Sequence, residues 1–247
     1  MDNRNSISVV LPARNEASTV AGVVRVLLNH PAVGEVLLID NGSSDGTGEI
    51  AAQIGASVKK CEQAGLGRAM KIGLRSARCK YVLRTDADID NWDPAWLDKL
   101  LPLQPGTLKR AVFTSPYNQF PVTNLVVRPF FQLYRPLWDS VPLPTTGTYL
   151  FDNECFPVEA LPDDWAIDVA ILLRGLSCDR IQVINVDIGL LSDKRRDISH
   201  YISMARDLNR YLTRYFKSEI ISSLRDTSPT EYAPWPDQER EEPILGS

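Results

Sequence analysis

The sequence predicts an α/β fold: a doubly wound, mostly parallel sheet with helices on both faces. Short apolar runs that read as strands alternate with helix-period segments through about the first ninety of 247 residues. Clusters of Gly, Asn, Asp and Ser follow these runs as turns. One run, Tyr81-Val82-Leu83-Arg84-Thr85, leads directly into Asp86-Ala87-Asp88. Alternation of this kind favours parallel strands joined by right-handed crossovers.

The elements follow in order. Residues 7–11 form an apolar strand closed by Pro12, and 17–29 carry helical spacing at Val20, Val23, Val24, Leu27 and Leu28. A strand at 35–39 leads into the turn Asp40-Asn41-Gly42-Ser43-Ser44-Asp45-Gly46, then a helix at 47–54. A third strand at 56–60 precedes a Gly-containing loop and a helix at 68–77. The fourth strand is 81–85. In the second half, helices are expected at 94–101, 125–137 (broken by Pro129 and Pro136), 165–176 and 198–224, with strands at 110–114 and 180–188. The 165–176 helix reads as amphipathic, and 142–148 as a loop. Residues 1–115 and 116–225 make the two halves of the fold. The Pro- and Glu-rich stretch 226–247 reads as a flexible tail.

Composition narrows the function. Apolar residues at 44% and charged residues at 23% are ordinary for a soluble globular chain. With 27 basic against 31 acidic residues, no global positive field recommends nucleic acid as a partner. No apolar stretch reaches the roughly 18 to 20 residues of a membrane span. The start of the chain has no apolar signal core. Cys61, Cys79, Cys155 and Cys178 are widely spaced, which argues against zinc and suits a reducing, cytoplasmic setting. His30 and His200 are the only histidines, so a His-based nucleophile relay is poorly supplied.

Four constellations carry chemistry. Asp86 and Asp88 are spaced i, i+2, so along a strand they face one side, at the sheet edge where such folds bind ligands. Two hard oxygen donors there suit Mg²⁺ or Mn²⁺ on a diphosphate. The run is not a calcium loop: Asn91 stands where that loop needs Gly, and Leu97 where it needs Glu. Pro12-Ala13-Arg14-Asn15-Glu16 lies beyond the first strand, where it either seats a nucleobase or caps the next helix. Asp40 and Gly42 follow the second strand, positioned for a base or ribose edge and equally for a connecting turn. Gly65-Leu66-Gly67-Arg68 precedes a helix whose exposed amides, with the Arg68 charge, suit phosphate. It matches neither a Walker nor a Rossmann fingerprint.

Taken together, residues 7–16, 36–47, 65–73 and 81–88 resemble the nucleotide-binding half of GT-A glycosyltransferases of the family 2 type. Further on, Val122-Thr123-Asn124-Leu125-Val126-Val127-Arg128-Pro129, Leu133-Tyr134-Arg135-Pro136, Pro144-Thr145-Thr146-Gly147-Thr148-Tyr149 and Trp165-Ala166-Ile167-Asp168-Val169-Ala170-Ile171-Leu172-Leu173 run in the order of glucosyl-3-phosphoglycerate synthases and their mannosylglycerate synthase relatives. The resemblance covers about positions 6 to 215. It implies a retaining, metal-dependent transferase acting on a nucleoside diphosphate sugar, a UDP-sugar in the first instance, and a small soluble acceptor.

By that resemblance Asp88 holds the metal with help from Asp86, and Asp193 falls near the family's metal-binding His. Thr146, Gly147 and Asp168 belong to the sugar and acceptor side, Asp168 standing at the family's Glu. Leu66 replaces the family's phosphate-facing Lys, leaving Arg68 as a substitute. Pro121 replaces a phosphate-clamping Arg, which points away from 3-phosphoglycerate as acceptor. Other readings stay open: a nucleotidyltransferase, a nucleotide-sugar binder without transferase activity, or a transferase acting on polyprenyl phosphate at a membrane. A homodimer is the assembly left open.

Overall fold

The computed structural model describes residues 6–102, 104–116, 120–192, 196–217 and 220–221. The expected tail at 226–247 and Asp193 lie outside the described residues. Among the described residues seven strands form one sheet: β1 (Ile7–Ala13), β2 (Val33–Asp40), β3 (Ser57–Lys60), β4 (Tyr81–Arg84), β5 (Thr107–Thr114), β6 (Tyr149–Asp152) and β7 (Gln182–Leu190). Their spatial order is β3-β2-β1-β4-β6-β5-β7. All neighbouring pairs run parallel except β4–β6 and β6–β5, which are antiparallel.

Successive residues of the central strands feed opposite layers, as the pleat requires. Val9, Leu11, Val36, Leu38 and Leu83 join one core with Val20, Val24 and Leu27 of α1 (Val20–Leu28), Ala51 of α2 (Thr47–Ile54) and Trp96, Leu97 and Leu100 of α4 (Pro94–Leu100). Val10, Leu37, Ile39 and Val82 join the opposite core with Ala69, Met70 and Leu74 of α3 (Leu66–Ser76) and Ile167 and Ile171 of α6 (Ile167–Leu176). A third core lies between α5 (Arg128–Tyr134), the other side of α6, and α7 (Ile198–Tyr215).

Three expectations need correction. Helix α6 is not amphipathic: Ile167 and Ile171 face one core while Val169, Leu172 and Leu173 face the next, so it is buried on nearly every side. The helix expected at 125–137 is three pieces: a π turn at Thr123–Val127, α5, and a 3₁₀ turn at Pro136–Trp138. Pro129 follows directly on the π turn within one helical run, Val122, Val127 and Arg128 all having helical dihedrals, and Arg135 before Pro136 leaves the helical region. Strand β6, left inside no element by the sequence reading, is inserted between β4 and β5 and sets Tyr149 opposite Arg84.

Candidate active site

The C-terminal ends of β1 and β4 and the loops after them open onto a cavity of about 750 Å³. Segments 120–123 and 143–147 and helix α7 close its other side. Its position matches the rule that open α/β sheets bind ligands beyond the carboxyl ends of their strands.

Hydrogen bonds knit the strand ends together. Asn15, at φ 58°, donates its amide to Ser43 Oγ at 3.1 Å and accepts from the Ser44 amide at 2.9 Å. The Glu16 amide donates to Thr47 Oγ1 at 2.8 Å. Asp40 Oδ1 accepts from the Ser43 amide at 2.8 Å, and Asn41 Oδ1 accepts from the Gly65 amide at 2.9 Å. These bonds place Pro12, Ala13, Arg14, Glu16 and Gly65 on the cavity wall. Asp40 and Gly42 are not on that wall; they form the turn behind it.

The segment after the second turn departs from its expected form. Gly67 is also off the wall: a Cβ there would collide with the backbone of Pro162 and Asp163. The Arg68 amide donates to the Asp163 carbonyl at 3.1 Å. The start of α3 is therefore packed against another loop and does not present the open row of amides that the glycines suggest. The Arg68 side chain still reaches the cavity.

Asp86 and Asp88 lie just past β4 rather than within it, and both face the cavity. Thr85 Oγ1 meets Thr148 Oγ1 at 3.1 Å and accepts from Trp92 Nε1 at 3.2 Å, while the Ala87 carbonyl accepts from Thr19 Oγ1 at 2.7 Å. The acidic pair is thereby fixed without a strand ladder. Arg196 pairs with Asp88 and also donates to Glu16 Oε1 at 3.1 Å. Burial disfavours the Arg196 charge, but Asp88 and Glu16 outweigh it and hold its pKa above the ordinary arginine value.

Arg84, the last residue of β4, is 2% exposed. Its Nη1 donates to Asp86 Oδ1 at 2.6 Å and to the Gly147 carbonyl; its Nη2 donates to Asp168 Oδ2 at 3.3 Å. Tyr149 Oη donates to Asp168 Oδ1 at 2.7 Å. Burial pushes the Asp168 carboxyl above the usual range, with Arg84 and the Tyr149 hydroxyl opposing that rise. Thr146, Gly147 and Asp168 all line the cavity. Sequence reasoning missed Arg84, Tyr149, Asn41 and Arg196. Only Arg84 carried a local signal, a charge inside an apolar strand.

Asp88 and Asp86 offer carboxylates to one side of the cavity, and a guanidinium already rests on Asp88 and Glu16 as a stand-in cation. That donor set fits Mg²⁺ or Mn²⁺, which take one or two carboxylates and fill the rest with phosphate oxygens and water. Among the described residues no three His, Cys, Asp or Glu side chains cluster as a self-sufficient metal site. No helix among the described residues is long and apolar enough to cross a membrane.

Comparison with known proteins agrees with this architecture. The chain is 27% identical over 229 residues to the glucosyl-3-phosphoglycerate synthase of Mycolicibacterium smegmatis, spanning 82% of this chain and 75% of that one. It is 24% identical over 255 residues to the enzyme of the same name from Petrotoga mobilis, spanning 89% and 77%. A crystal structure of glucosyl-3-phosphoglycerate synthase from Mycobacterium tuberculosis with Mn²⁺, UDP-glucose and phosphoglyceric acid superposes with a TM-score of 0.77 at 25% identity, covering 85% of this chain and 79% of that one. The same enzyme with Mg²⁺ and UDP gives 0.76 at 26% identity, with coverage of 85% and 79%. The model of glycosyl transferase family 2 matches residues 8–154, from β1 through β6 and the acidic pair, and the chain belongs to that family as a glycosyltransferase of the GT-A fold.

Proposed function

We propose that this protein moves a sugar from a UDP-linked donor onto a small acceptor, with a divalent cation at Asp88. The observation that carries the reading is the acidic pair at the end of β4, facing the cavity with a cation already drawn to Asp88 and Glu16. The similar mycobacterial enzyme crystallised with Mn²⁺, UDP-glucose and phosphoglyceric acid supports both the donor class and the metal.

Asp88 and Asp86 would hold Mg²⁺ or Mn²⁺, with Asp193 as a further ligand. When bound, the ion supplies Lewis-acid stabilisation of the charge that grows on the departing diphosphate. Pro12, Ala13, Arg14 and Glu16 seat the nucleoside against β1, and Asp40 and Gly42 shape the turn that supports them. Gly65 and Arg68 border the diphosphate, where Arg68 gives a second phosphate contact. Thr146, Gly147 and Asp168 face the sugar and the acceptor, and transfer proceeds with retention.

The acceptor is small and polar. The expectation against 3-phosphoglycerate rests on Pro121, which lines the cavity and brings no guanidinium. Arg206 and Arg210 of α7 line it from another side, each 3.5 Å from Asp207 Oδ1, so guanidinium groups do border the space open to an anionic acceptor. Phosphoglycerate therefore stays among the acceptors to assay.

Thermal melts with UDP, with and without Mn²⁺, test the reading, because a ligand that binds only the folded state raises its stability. UDP with Mn²⁺ should raise the melting temperature and chelator should remove the rise. Asp88→Ala should abolish metal-dependent hydrolysis of UDP-glucose while the fold persists. A wild-type protein that neither responds to UDP nor hydrolyses UDP-glucose would end the proposal, whatever it does with GDP and GDP-mannose.

A further inference from the structure

A fully buried arginine at the last position of a central strand needs a reason. The preceding residues Val82 and Leu83 are apolar and wholly buried, as a central strand requires. Burying a guanidinium in their company is costly unless it is paired and hydrogen-bonded. Arg84 is paired and hydrogen-bonded through Nη1 and Nη2, while its buried Nε has no partner among the described residues, and the partners it has do not come from a single structural element. Asp86 belongs to the acidic segment after β4, the Gly147 carbonyl to the loop before β6, and Asp168 to the first turn of α6.

All three partners border the cavity, as does Arg84 itself. The planar fork of an arginine fixes direction as well as charge, so these groups are held at set angles to one another. Gly147 records how tight the arrangement is: a Cβ there would collide with Arg84 Nη1 and Asp86 Oδ2. Tyr149, paired with Arg84 across β4 and β6, holds the other oxygen of Asp168. Asp168 thus has both carboxylate oxygens fixed by buried donors from neighbouring strands.

From this geometry we propose that Arg84 is a positioning residue, which aligns the Asp168 carboxylate and the Gly147 carbonyl with the acidic pair at the diphosphate end of the cavity. The proposal rests on the transferase reading above. Arg84 acts through Asp168, and its loss misplaces the sugar relative to the leaving group. Misplacement by about 1 Å is enough to lower turnover by roughly 100-fold.

The test compares Arg84→Lys with wild type in UDP affinity with Mn²⁺ by calorimetry, melting temperature, and kcat and KM for UDP-glucose hydrolysis. Lysine keeps the charge and loses the fork. The expected result is a UDP Kd within about 3-fold of wild type, because lysine keeps a positive charge beside Asp86, and a kcat lower by roughly 100-fold. In an Asp168→Asn background, Arg84→Lys should lower kcat by less than about 2-fold further, because the two residues act as one unit. A lysine variant with wild-type kcat overturns the inference, and so do fully additive losses in the double variant. Wild type that neither binds UDP nor hydrolyses UDP-glucose overturns the transferase reading with it, whereas active wild type with an equally active variant overturns this inference alone.

Discussion

Arg196 lies on the Asp88 carboxylate, from a position 108 residues further along the chain, and shares its guanidinium with Glu16. In the absence of nucleotide this pair sets Arg196 in competition with a divalent cation for the same oxygens. Arg196→Gln removes this guanidinium and leaves both carboxylates in place. Manganese should then raise the melting temperature of the UDP-free variant at a concentration roughly fivefold lower than for wild type, the factor expected for a partly exposed ion pair. An unchanged or weaker response to manganese would show that Arg196 does not stand in the metal's place.

The closeness of Gly147 to Arg84 and Asp86 gives a second prediction. Gly147→Ala adds a methyl group where side-chain atoms already lie, so either the loop or the Arg84 fork must shift. Overpacking of this kind costs about 1 to 3 kcal/mol, or roughly 2 to 10 °C in melting temperature for a chain of this size. Turnover should fall further than stability does, since Arg84 and Asp86 are the groups displaced. A melting curve that overlays wild type would refute the close approach.

The legible part of the molecule was the part whose information is local. Val9, Val10 and Leu11 announce a strand buried on both faces, and Asp86 and Asp88 announce a shared side by their spacing alone. Strand β6 is only four residues long, sits between a Pro-rich loop and a turn, and runs against the parallel pattern around it. Nothing in its own sequence separates it from a loop. Gly67 read as a phosphate-loop glycine, yet what demands a glycine is the Pro162–Asp163 backbone, almost a hundred positions away. Arg84 was visible as an odd charge, but its meaning depends on Gly147 and Asp168, which only the folded chain brings together.

Tyr149→Phe isolates one hydrogen bond in the site. It removes the hydroxyl that donates to Asp168 at 2.7 Å and leaves one carboxylate oxygen buried without that partner. The stability cost should be about 1 to 3 kcal/mol. Burial already raises the Asp168 pKa, and the hydroxyl is one of the groups holding it down. Without it the carboxyl titrates at a still higher pH. If turnover needs ionised Asp168, the acid limb of kcat against pH should move toward neutral in the variant. An acid limb that stays in place would show that Asp168 does not govern turnover in its ionised form.

His200 provides a pH dependence of stability with a definite sign. It is half-buried against Trp165, ring centroids 4.9 Å apart, and lines the same cavity. Burial and then the Arg196 charge push its pKa below the ordinary histidine value of 6.5, with Asp197 opposing. The folded state therefore takes up a proton at lower pH than the unfolded chain does. The stability this contributes is complete above the ordinary value and is lost as pH falls through the depressed folded value. Asp168 is shifted the other way and gives an opposite slope, so the comparison must be with a variant that keeps it. Against His200→Gln, wild type should lose melting temperature progressively as pH is lowered from about 7 to about 5, the range in which histidine titrates. Taking the imidazole ring away from Trp165 adds an offset that does not vary with pH. A difference that stayed constant across that range would mean His200 titrates alike in both states.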